Sequence, residues 1–121
     1  MTLSIVIAIL SLTPGHSDAS ATGFVWLVQA TPSLLQNSMH VVLYGCLAGS
    51  WLWALQSLPA PRTRRARLVL AFAIAFGLGI LLEWLQTSVP GRFGSLYDVV
   101  LNGIGAAIGL VAASKLLKAG D

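Results

Sequence analysis

From Ser38 to Leu58 the chain carries no Lys, Arg, Asp or Glu, and two later stretches come close to the same condition. Leu68 to Gln86 holds one charge, Glu83, near its end, and Leu96 to Ser114 holds one, Asp98, near its start. A bilayer hydrocarbon core of ~30 Å takes about 20 apolar residues of helix to cross, so each stretch reads as a membrane span. Lipid offers no hydrogen bonds to a bare backbone, which leaves the helix as the spanning form for segments of this kind. Composition agrees: 56% of the 121 residues are hydrophobic and 9% charged, with mean hydropathy +0.82. Those figures exclude a disordered chain and do not suit a soluble domain.

A fourth apolar segment, Leu3 to Leu12, is short and stops at the helix-breaking run Thr13-Pro14-Gly15. Ala19-Ser20-Ala21 has the small-residue look of a cleavage site, but no Lys or Arg precedes the apolar run as in a secretory signal. The segment therefore reads as a first helix, tilted or in locally thinned bilayer. The expected fold is all-α: a polytopic membrane protein forming a single domain over 1–121, with four transmembrane helices. Between helices one and two, the stretch Pro14 to Asn37 contains Phe24-Val25-Trp26-Leu27-Val28, too apolar for a free loop. An interfacial or re-entrant segment is expected there, anchored by Trp26. Thr31-Pro32 reads as a cap with proline at the first helical position, so helix two is expected to start near Pro32 and to be long.

Six of the seven basic residues fall on one side of this topology: Arg62, Arg64, Arg65 and Arg67 between spans two and three, Lys115 and Lys118 after the last. That side should be cytoplasmic. The expectation is a multi-pass protein of a bacterial cytoplasmic (inner) membrane, with both termini in the cytoplasm. The net charge of +3 then reports topology and gives no reason to expect nucleic acid. Trp51, Trp53 and Trp84 sit where interfacial anchors belong. Gly105 and Gly109 form a small-xxx-small face on the last helix, with Ala106 and Ala113 nearby, which lets another helix approach closely. Cys46 is the only cysteine, so there is no internal disulfide and no thiolate metal motif.

Helical spacing sorts the polar residues. His40 and Tyr44 share a face at i, i+4; Glu83 and Gln86 stand at i, i+3; Asp98 and Asn102 share a face at i, i+4 that Gly105 and Gly109 continue. With the topology above, all of these, and Arg92 in the loop between spans three and four, land in the outer part of the membrane. Ionisable groups at such a depth are costly and are expected to be paired, or to have a job. Two readings stay open. One is a polar clamp in which Arg92 pairs with Asp98 or Glu83 and pins the outer loop. The other is an outward-facing polar pocket in which His40 transfers protons. No His pair stands at metal-ligand spacing, no serine triad order is readable and no phosphate loop is present. From spacing alone, neither a metal nor a cofactor is expected, and no catalytic residue is assigned.

At these residues the chain resembles the VanZ-like family of small bacterial membrane proteins. The resemblance runs through Ser11-Leu12-Thr13-Pro14, His40 with Tyr44 and Leu47, Glu83 with Gln86, Pro90-Gly91-Arg92, Ser95, Asp98-Val99, Asn102, Gly105 and Gly109. Where the family usually has a Lys three residues before the His, this chain has Asn37. The resemblance implies a link to low-level resistance to the glycopeptide teicoplanin, the association of the founding member, and no established mechanism. Three functions follow from residues and resemblance together. One is a cell-envelope protein whose outer site engages a lipid-linked or peptidoglycan-related ligand. The second is a structural or accessory subunit of a larger membrane complex, since four helices at this length enclose little interior. The third is a membrane enzyme acting on a lipid phosphate, with Arg92 binding phosphate and a carboxylate or His40 as acid or base. The partners expected are the lipid bilayer and either other membrane subunits or the envelope ligand.

Overall fold

The computed structural model describes residues 2–12, 33–60, 63–89 and 94–119. They form four helices: α1 (Thr2–Leu12), α2 (Ser33–Gln56), α3 (Arg64–Gln86) and α4 (Leu96–Ala119). Among the described residues there is no strand. Three helices, α2, α3 and α4, are long and apolar enough to cross a membrane. The eleven residues of α1 rise roughly 16 Å at 1.5 Å per residue, about half of a hydrocarbon core. The expected interfacial or re-entrant segment, with Trp26 and Thr31-Pro32, lies outside the described residues, as does His16.

Helix boundaries follow local chemistry. α3 begins earlier than the apolar run suggests, because Thr63 caps it: the Thr63 Oγ1 accepts from the Ala66 amide at 3.2 Å. Arg64, Arg65 and Arg67 are thus in the first two turns of the helix and not in the preceding loop. α3 ends where Thr87 turns its hydroxyl back on the Trp84 carbonyl at 2.6 Å. α2 ends at Gln56, just before Pro59.

The directions of the helices come from who meets whom. The Gln86 Nε2 donates to the Ser11 carbonyl at 2.9 Å, so α1 and α3 end side by side. His40 bonds Asn102, so α2 and α4 begin side by side. At the opposite end, Arg64 Nη2 donates to the Ser114 carbonyl at 3.2 Å, joining the start of α3 to the end of α4. The three long helices therefore alternate in direction, with α2 and α4 parallel.

The interior is built of small residues. Ala48, Ala71, Ala75 and Ala106 are 0% exposed, with Leu47, Leu52, Leu55, Leu82, Leu110 and Ile7 filling between them. Along α2 the buried set Tyr44, Leu47, Ala48, Leu52 and Leu55 keeps helical spacing. Large apolar side chains point outward from every helix, among them Ile5, Val42, Val69 and Leu116. Polar Glu83, Gln86 and Asn102 are buried. Apolar outside and polar inside is what lipid selects and water does not.

The closest packing joins α2 to α4. A Cβ at Gly105 would collide with the Val41 backbone, and one at Gly109 with the Gly45 backbone. A Cβ at Gly45 would stand 3.1 Å from the Gly105 carbonyl oxygen, and one at Gly49 3.4 Å from the Ala113 Cβ. The pairs Val41/Gly105, Gly45/Gly109 and Gly49/Ala113 advance four residues at a time on both helices, one backbone sliding along the other. The Gly105/Gly109 face thus finds its partner within the chain, on α2. On α3 the two glycines differ. Gly77 has nothing within 4 Å, whereas a Cβ at Gly79 would press on Asn102 and on Tyr44, each at 3.0 Å. Gly79 is a cut-out for those two side chains.

Candidate functional site

One end of the bundle, where α2 and α4 begin and α3 ends, assembles one polar cluster. The capping chemistry of α4 sets it up. Ser95 takes the cap position, accepting from the Asp98 amide at 3.4 Å through Oγ and from the Val99 amide at 3.1 Å through its carbonyl. In a capping box the acid three residues after the cap reaches back to the cap's own N–H. Here that N–H goes to Glu83 of α3, whose Oε2 accepts it at 3.0 Å. Glu83 performs the closing bond from another helix, and the Asp98 carboxylate is left to face the cluster. Both carboxylates stand at the N-terminal end of α4.

Gly94 permits this arrangement. A Cβ there would run into the Glu83 carbonyl and stand 2.9 Å from the Thr87 Cγ2. The chain can pass beneath the end of α3, and deliver Ser95 to Glu83, only without a side chain at that position.

From α2, His40 enters through its Nδ1, 2.9 Å from the Asn102 Oδ1. The carbonyl oxygen of an amide only accepts, so the Nδ1 carries a proton and donates. Tyr44, one turn further along α2, lies parallel to the imidazole, with ring centroids 6.4 Å apart and an interplanar angle of 6°. It is 2% exposed and fills the space that Gly79 vacates. Asn102 is fully buried, and among the described residues its Nδ2 has no hydrogen-bond partner.

The result is a convergence that no stretch of sequence displays. His40, Glu83 and Asp98 each offer one ligand-type atom, and the three atoms lie within 4.8 Å of one another. Glu83 is buried, while His40 and Asp98 are half-buried, so the cluster is reachable from one side. Of the residues singled out from sequence, the structure brings together His40, Tyr44, Glu83, Asp98 and Asn102. Gln86 turns away to hold the Ser11 carbonyl of α1. Arg92 lies outside the described residues. Sequence reasoning passed over Gly94 and the Gly45/Gly49 face. The latter was visible as a second small-xxx-small spacing; Gly94 carries no local signal, because its need arises only when α3 and α4 are in place.

A family model described as VanZ/LLP1 matches residues 2–118 of the chain. No curated protein and no solved structure matches it.

Proposed function

The chain belongs to the VanZ-like family, and from that premise we propose that it is a multi-pass protein of the bacterial cytoplasmic membrane whose polar cluster faces outward and binds a lipid-linked or peptidoglycan-related ligand of the cell envelope. One observation carries the reading. In a bundle with large apolar side chains exposed on every helix, His40, Glu83 and Asp98 bring their ligand-type atoms within 4.8 Å of one another at one end. Charged groups gathered at the edge of the membrane suit a molecule with a polar head at the interface and an apolar tail in the lipid. The basic residues support the orientation. Arg64, Arg65 and Arg67 open α3 and Lys115 stands near the end of α4, at the opposite end of the bundle from the cluster. The positive-inside rule assigns that end to the cytoplasm, with the end of α4, and the cluster to the outer face.

The test is purification of the full chain in mild detergent from its own host, followed by mass spectrometry of what it retains. The expected result is a lipid-linked sugar or an anionic lipid held by the natural chain. Glu83→Gln and Asp98→Asn variants that elute as the natural chain does should lose it. Stoichiometric protein partners with no such lipid would overturn the reading. They would make the chain an accessory subunit and the cluster a clamp.

A further inference from the structure

We propose that His40, Glu83 and Asp98 together bind a divalent transition-metal ion, with zinc as the probe. The inference rests on the reading of this cluster as a ligand site and supplies the ion that reading leaves out. Three helices contribute one ligand-type side chain each, and the ligand atoms lie within 4.8 Å of one another. Around a zinc ion with bonds of about 2.0–2.2 Å, neighbouring ligand atoms stand roughly 3–4 Å apart.

The surroundings are those a metal ligand needs. A ligating histidine donates its other ring N–H to an oxygen, which fixes the tautomer and aims the lone pair. With the Nε2 on the ion, the bond of the His40 Nδ1 to the Asn102 Oδ1 at 2.9 Å serves this purpose. Ligating carboxylates are themselves hydrogen-bonded, and the Glu83 Oε2 accepts the Ser95 N–H at 3.0 Å. Asn102 itself is wholly buried, so the oxygen that holds the imidazole is fixed in place.

Charge points the same way. Two carboxylates this close repel strongly at low dielectric. Arg92 is one source of positive charge in the sequence. A dication is the source that engages both carboxylates and the imidazole lone pair at once, bringing their sum to neutrality. One nitrogen and two carboxylate donors favour zinc, manganese or ferrous iron over calcium or magnesium, which take oxygen alone. Three protein ligands also leave a coordination position open. A phosphate oxygen of the envelope ligand is the group whose chemistry fits that position.

The full chain in detergent, stripped with a chelator and dialysed, is titrated with zinc against a chromophoric competitor. Cobalt substitution reports the ligand field. The expected result is one ion per chain, with a cobalt spectrum of low-coordinate, nitrogen-containing character. His40→Ala and Asp98→Asn should each weaken binding by at least tenfold. Asn102→Ala, which touches no metal, should weaken it by about 10–100-fold through loss of imidazole alignment. Circular dichroism and elution volume confirm that each variant is folded, and Trp53→Ala, exposed on the apolar surface, should bind as the natural chain does. Binding well below one ion per chain, or zinc held equally by folded Asp98→Asn and the natural chain, overturns the proposal. Retained lipid measured on the same samples separates the two readings. Lipid held without metal, and lost in Arg92→Ala, sinks the metal and keeps the ligand site. Metal held without lipid does the reverse.

Discussion

Gln86 and Glu83 stand three residues apart on α3, yet they serve different neighbours. Glu83 bonds the Ser95 amide at the head of α4. Gln86, 4% exposed, reaches across to the last turn of α1 and holds the Ser11 carbonyl. That carbonyl is among the four at a helix end that have no intrahelical donor. Gln86→Leu should therefore cost about 1 kcal/mol, the scale of a polar contact between membrane helices. The loss should appear in SDS-induced unfolding, with faster amide exchange confined to α1. Retention of metal or lipid by the cluster should be unchanged, and a loss there would place Gln86 in the site after all. The Glu83/Gln86 spacing marks both residues as polar on one side of a helix. It does not say that the two diverge, because that depends on where α1 and α4 come to lie.

Among the elements, α2 and α4 share the tightest contact, a seam of Gly45, Gly49, Gly105 and Gly109. Gly109→Val should break it, at a cost of about 3 kcal/mol or more, since the obstacle is the Gly45 backbone and no side chain can yield. Gly77→Ala is the control. With nothing within 4 Å of its added methyl, it should leave stability within about 0.5 kcal/mol. Equal effects from the two substitutions in the same unfolding assay would remove the seam from the account. How much of this is legible from the residues differs by element. The spans of α3 and α4 end and begin where the charge pattern puts them, at Gln86 and Leu96, because lipid exposure is a property of local composition. One half of the seam is legible in the same way, through Gly105 and Gly109. The cluster is legible as residues sharing a depth, His40 with Glu83 and Asp98, and as shared faces within α2 and α4. The Ser95–Glu83 bond and the orphaned amide of Asn102 are not. They depend on rotation of one helix against another, for which sequence spacing carries no information.

At the scale of the molecule, one end is basic and the other holds Glu83 and Asp98. Cys46 is exposed midway along α2, so Cys46→Ser gives a background free of thiols for mapping the two ends. In that background Ser88→Cys, just past the end of α3, should react with a membrane-impermeant maleimide added to intact spheroplasts. Ser57→Cys, just past the end of α2, should react only after permeabilisation. Both positions are exposed, and the opposite labelling pattern would invert the assignment of the outer face. The seam has a further consequence for how the molecule is made. It joins α2 to α4, which are not consecutive, and α3 lies between them in the chain. A nascent chain that has inserted only as far as α3 presents the Gly45–Gly49 stripe of α2 to the lipid with nothing seated on it. Until the last helix arrives, His40 also lacks the Asn102 oxygen that orients it. Glycine has no rotamers to freeze, so α4 docks with little entropic penalty. The arrival of α4 thus latches the bundle and completes the polar cluster in one event. A chain cut short before Leu96 would leave that stripe open to a second copy of itself.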